Sequence, residues 1–81
     1  MKTLEVLLLT PEKILFEGRA QRVILPGEEG TFEVGSFHRT LVSRLLPGVI
    51  VIDEHSFPIQ RGVVKVEKNT VTSLSETDAF S

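Results

Sequence analysis

The residues best suited to chemistry crowd into one stretch, LPGEEGTFEVGSFH at positions 25–38. It holds three glycines, three glutamates, a proline and a histidine. Glycines in series can cradle a phosphate on backbone N–H groups. Here they stand at 27, 30 and 35, which fits neither G-x-x-x-x-G-K-[ST] nor G-x-G-x-x-G. No lysine lies inside the loop, and Glu28 and Glu29 repel an anion. A metal site would have to draw on His38, His55, Glu28 and Glu29, whose separation matches no zinc spacing. His55 reads as a solvated residue at a hairpin tip, and His38, next to Phe37, as a packed or interface histidine. The paired acids Glu28-Glu29 and Asp53-Glu54 are sequence neighbours. In a strand their side chains point to opposite faces, and in a loop they are simply solvated. Nothing places either pair in an apolar pocket that would raise a carboxyl pKa for acid–base work. No serine sits in a G-x-S-x-G elbow. There is no cysteine, so disulfides, thiolate nucleophiles and cysteine metal ligands are excluded. The chain is expected to carry no catalytic residue, no metal and no cofactor.

Composition narrows the classes further. At 81 residues the chain makes one domain with a small core, a size at which a partner often adds stability. The formal net charge of −2 gives no broad basic field, so nucleic acid is not an expected partner. The longest apolar runs, 6–9 and 49–52, fall far short of the roughly 20 residues that cross a bilayer. Met1-Lys2-Thr3 leads into no long apolar segment and does not read as a signal peptide. Any membrane association is expected to go through another protein.

The elements that must position these residues read as strands. Apolar runs are short and punctuated by turn signals: Thr10-Pro11-Glu12-Lys13, Gly18, Pro26-Gly27, Pro47-Gly48 and Lys68-Asn69. Residues 3–9, 14–17, 20–25, 32–34, 49–52, 57–61, 64–67 and 70–74 are strand candidates. Pro58 suggests an edge or an irregular start, and Gly62 a bulge or close approach. Asn69 is the natural residue for φ > 0 in the last turn. Segment 41–46 is ambiguous, because Leu41, Val42, Leu45 and Leu46 also line one face of a helical turn. The fold class is all-β, a flattened β-sandwich or barrel over residues 1–75, followed by a polar tail at 76–81. Such a domain, without catalytic groups, points to a binding or assembly module. A sugar-binding module would present exposed Trp or Tyr, and this chain has neither.

Several segments together carry a resemblance. In order they are VLLLTPEKILFEG, VILPGEEGTFEV, a histidine at 38, LPGVI, and GVVKVEKNTVTSL. Their order and spacing over residues 4–74 resemble the epsilon subunit of F-type ATP synthases, specifically its N-terminal β-sandwich domain. The family's pattern departs here at Gly35-Ser36-Phe37 before the histidine, at Arg39-Thr40 after it, at Thr31, and at Arg61 beside Gly62. Ending at Ser81, the sequence reads as a short form without the C-terminal helical pair, hence without a helical inhibitory switch or a nucleotide site.

The resemblance implies a sandwich of about ten short strands. It implies a non-catalytic subunit of the rotor's central stalk, binding the gamma subunit and the c-ring and coupling proton or sodium translocation to ATP synthesis. It further implies a place on the cytoplasmic face of a bacterial cell membrane, with membrane contact only through the c-ring. Gly27, Glu28, Glu29, Gly30 and Thr31 would then face the c-ring. Phe37, His38, Arg39, Leu41, Val42 and Ser43 would approach gamma, with Arg44 able to add a charged contact. The alternative reading is a stand-alone β-sandwich that binds a peptide or carbohydrate.

Overall fold

In the computed structural model, which describes residues 3–36 and 39–77, nine strands form and no helix does. They are β1 (Leu4–Leu9), β2 (Ile14–Ala20), β3 (Val23–Gly27), β4 (Gly30–Val34), β5 (Leu41–Leu45), β6 (Gly48–Ile52), β7 (His55–Ile59), β8 (Arg61–Glu67) and β9 (Thr70–Glu76). One continuous hydrogen-bonded path runs β2-β1-β9-β8-β5-β3-β6-β7, and β4 branches from β3. All pairings are antiparallel except that of β1 with β9, which is parallel.

Alternation explains why this sheet curls over a core. In β1, Leu4, Val6 and Leu8 are buried; in β9 the same phase falls on Val71, Ser73 and Ser75, and in β8 on Val64 and Val66. From the other half of the path, Val23, Leu25, Val34, Leu45, Ile50, Ile52 and Ile59 turn inward to meet them. The fully buried side chains are aliphatic apart from Ser75, while Phe16, Phe32 and Phe57 pack from the margin. Burying one such Val, Leu or Ile contributes about 1.5–3 kcal/mol, so this single cluster is the main source of stability. The two buried hydroxyls are satisfied: Ser73 Oγ donates to Val63 O at 3.1 Å and lies 3.0 Å from Ser75 Oγ. The radius of gyration, 11.5 Å, is that of a fully packed chain of this length.

The structure settles or corrects several local expectations. Segment 41–46 is a strand over its first five residues, because full pairing with β8 from Leu41↔Val66 to Leu45↔Gly62 outweighs a marginal helical turn. The chain does not stop at Pro26-Gly27: β3 continues through both, and Pro26, which lacks an N–H, still accepts from Leu46 N at 2.8 Å. The expected return strand 57–61 is divided between β7 and β8 at Gln60, whose N–H donates to Glu76 O at 2.7 Å. In the last hairpin turn Lys68, not Asn69, takes the left-handed conformation, with φ of 56°. Gly62 is a point of close approach, as expected: a Cβ there would stand 2.5 Å from Ser75 Oγ and 2.6 Å from Leu74 O.

Asp53 is the clearest correction. It is not merely a solvated acid at a hairpin tip. Its carboxylate accepts from the N–H of Gln21 at 3.0 Å and of Arg22 at 3.2 Å, and its own N–H donates to Arg22 O at 3.2 Å. These bonds pin the β2–β3 corner to the β6–β7 tip, and Asp53 adopts φ of 52° to make them. Its neighbour Glu54 is exposed. His55 is exposed as well, though its ring lies 5.8 Å from that of Phe16.

Candidate functional site

Two of the segments singled out in the sequence come together. β3 and β4 form a hairpin whose two-residue tip is Glu28-Glu29, with Gly27 opposite Gly30. Glycine is required at both ends for different reasons. Gly30 has φ of 126°, a conformation closed to side chains. Gly27 lies under the Phe32 ring, where a Cβ would stand 2.6 Å from the nearest ring carbon. The tip is tied to β5 by the Glu28 N–H donating to Arg44 O at 3.1 Å, and by a looser ion pair, Arg44 Nη1 to Glu28 Oε2 at 4.0 Å. That pair is largely exposed and contributes about 0–1 kcal/mol. Glu29 has no such tie among the described residues.

Between the tip and β5 lies an open groove of about 880 Å³, lined by residues 27–32, 39, 41–44 and 63. All five residues of the expected ring-facing loop border it, together with Arg39, Leu41, Val42 and Ser43 of the expected shaft-facing set. Phe37 and His38 lie outside the described residues. The members of the second set differ in orientation. Leu41 packs against the core and Ser43 is half-buried, its Oγ donating to Arg44 O at 2.9 Å. Val42 points outward and is 72% exposed.

Val42 belongs to a wider surface that the strand assignments alone did not reveal. The register aligns Ile14 of β2, Leu9 of β1, Leu74 of β9, Val63 of β8 and Arg44 of β5 in one row across the outer face. The next row carries Leu7, Thr72, Lys65 and Val42. Of the six large hydrophobic side chains exposed among the described residues, Ile14, Val42, Val63 and Leu74 stand on these rows. Leu46 adjoins them in a shallow groove of about 470 Å³ shared with Val63 and Leu74. Only Val49 lies off these rows and outside that groove. Charged pairs border the first row, Arg61–Glu76 at 3.2 Å and Arg44–Glu28, while Lys65, paired with Glu67 at 3.3 Å, stands between Thr72 and Val42 in the second. An apolar centre with a charged rim is the anatomy of a protein-binding surface. A signal for it was present in the sequence: adjacent Val63 and Val64 cannot both face inward in a strand.

Among the described residues, no group of three or more His, Asp or Glu side chains is placed to share an ion. The acids singled out as candidate ligands or catalysts are either bound to backbone and arginine, as Asp53 and Glu28 are, or exposed, as Glu29 and Glu54 are.

Comparison with known proteins agrees in kind. The model of the ATP synthase Delta/Epsilon chain β-sandwich domain matches residues 3–79. An ATP synthase epsilon chain of Nitratiruptor sp. is 42% identical over 81 residues, covering 94% of this chain and 63% of that protein. One from Bordetella avium is 35% identical over 82 residues, covering 95% and 58%. The chain thus spans about three fifths of the length of these curated relatives. Two solved assemblies contain chains of the same fold. One is the central stalk/c-ring of the Tetrahymena thermophila mitochondrial ATP synthase, with a TM-score of 0.73 at 18% identity, covering 93% of this chain and 64% of that one. The other is the Euglena gracilis mitochondrial ATP synthase, with a TM-score of 0.83 at 16% identity, covering 90% and 50%.

Proposed function

Because this chain belongs to the ATP synthase Delta/Epsilon chain β-sandwich family, we propose that it is a non-catalytic rotor subunit of an F-type ATP synthase. In this reading it binds the gamma subunit and the c-ring and turns with them, so that ion flow through the ring is coupled to ATP synthesis. The observation that carries the reading is the apolar face over β1, β9, β8 and β5, with the 39–44 segment at its margin. A small domain that leaves Val42, Val63, Leu74 and Leu46 in water is built to cover them with a partner. The gamma subunit is that partner. The glycine-bounded tip Gly27–Thr31 is the ring-facing element, and Glu29, without a partner among the described residues, is suited to a basic residue of a c-ring loop. Rim charge of this kind tunes the rate and register of docking more than its strength. Placement within the complex puts the protein on the cytoplasmic face of a bacterial membrane, held there by protein contacts alone.

The test is co-purification with gamma and the c-ring, followed by measurement of gamma affinity for Val63→Lys and Leu74→Lys. Both side chains are about half exposed, so folding survives while each change lowers gamma affinity by about tenfold or more. Equal affinity for the wild type and both variants would remove the gamma assignment from this face. Retention of normal ring association by Glu29→Ala would remove the acid's role.

A further inference from the structure

β5 outruns its neighbour. On one side it is paired with β8 along its whole length, from Leu41↔Val66 to Leu45↔Gly62. On the other side its only register partner among the described residues is Gly27, opposite Leu45, where β3 turns away into the hairpin tip. Arg44 O and Leu46 N face that second side, since they bond Glu28 N and Pro26 O. In a strand the backbone N–H and C=O of one residue point to the same edge, and the edge alternates along the chain. The N–H of Arg44 and both the N–H and C=O of Val42 therefore point to the side that β3 has left. No described strand pairs with that stretch, and it opens into the groove beside the hairpin tip.

We infer that this edge of β5 accepts an extended backbone segment of the partner, which adds as a strand in line with β3. The inference rests on the shaft reading above and specifies how the shaft is gripped. Three features define the occupant. The Val42 donor and acceptor with the Arg44 donor fix a segment of about three residues in β conformation. Val42, 72% exposed, asks for an apolar side chain on the outer face. Glu29, the acid at the groove wall without a partner among the described residues, asks for a lysine or arginine at the segment's end near the tip. Edge strands are ordinarily blunted by charge, proline or cover. Arg44 supplies charge at one end of the stretch, engaged with Glu28 at 4.0 Å, but Val42 is apolar and exposed, which leaves the edge open to a partner there.

Hydrogen exchange on the wild-type chain, alone and bound to the gamma subunit, tests this without any substitution. The Val42 and Arg44 amides exchange rapidly in the free chain and slow by about tenfold or more in the complex, whereas Leu41 and Ser43, bonded to β8, are protected in both. A second arm compares Val42→Pro with Val42→Ala. Proline removes an N–H that β8 does not use, so the strand is retained, as edge strands tolerate. The proline variant loses about tenfold or more in gamma affinity, while the alanine variant loses less. If gamma binds but the Val42 and Arg44 amides stay fast, or if a folded Val42→Pro chain binds like the wild type, strand addition is wrong and the shaft reading stands. If the wild type does not bind gamma at all, both fall together.

Discussion

Replacement of Asp53 separates two contributions that the structure superimposes on one residue. Its carboxylate holds the N–H groups of Gln21 and Arg22, and its backbone sits at φ of 52°. A hydrogen bond to a charged acceptor contributes about 1.5–3 kcal/mol, with the lower end appropriate to a partly exposed corner. Holding a residue with a Cβ in the left-handed region costs about 1–2 kcal/mol, less for Asp and Asn. Asp53→Ala loses both bonds and gains strain, for a destabilisation of about 3–4 kcal/mol. Asp53→Gly loses the bonds but relieves the backbone, for about 2–3 kcal/mol. Asp53→Asn keeps an oxygen where Oδ1 now accepts from both amides and tolerates the same φ, for about 1 kcal/mol or less. Urea and thermal unfolding followed by far-ultraviolet circular dichroism give the values, since the chain has no Trp or Tyr for fluorescence. In a domain of this size each kcal/mol shifts the midpoint by about 4–8 °C, so the three variants are resolvable. If Asn is as damaging as Ala, the carboxylate bonds are not what holds the corner. If Gly matches Ala, the backbone contribution is absent.

The remaining predictions concern the backbone at other turns and pairings. Gly62→Ala places a Cβ within 2.8 Å of Ser75 Cα and 2.6 Å of Leu74 O, atoms that cannot swing away, so β8 and β9 must part locally at a cost of about 1–3 kcal/mol in urea unfolding. Lys68→Gly acts in the opposite direction, because φ of 56° is free for glycine; the gain, up to about 1 kcal/mol after the loss of chain entropy, appears as a raised midpoint.

The sequence made the all-β class legible because its apolar runs are short and its turn residues frequent. β6 read from β-branching and β8 from alternation, while β1 read from a leucine-rich run ended by a turn and β9 from the turn before it. The remainder needed tertiary information. Residues 41–46 place Leu41 and Leu45 at positions that serve a helix turn and a strand equally, and only pairing with β8 decides between them. Asp53 bonds residues more than thirty positions away, so its neighbours in the chain give no hint of its role. The turn at Lys68-Asn69 was visible, but which of its residues bends left-handed follows from the register Glu67↔Thr70 and the backbone between, not from propensity. At the candidate site the glycines and acids of the hairpin tip stood out, and the two segments lining the groove were both identified from resemblance. That the two meet in one groove, and that Arg44 ties them, depends on where β3 stops.

The parallel pairing of β1 with β9 has a consequence for how the chain is made. β9 lies between β1 and β8, so among the described residues the hairpin β1–β2 joins the rest of the sheet through β9 and the turn before it, where the Glu5 N–H donates to Asn69 O at 2.8 Å. During synthesis that hairpin leaves the ribosome first and waits, its apolar Leu4, Val6 and Leu8 uncovered, until residue 76 has emerged. Pairings of such sequence separation close slowly. The sheet therefore cannot mature segment by segment, and it closes only when β1 and β9 have met.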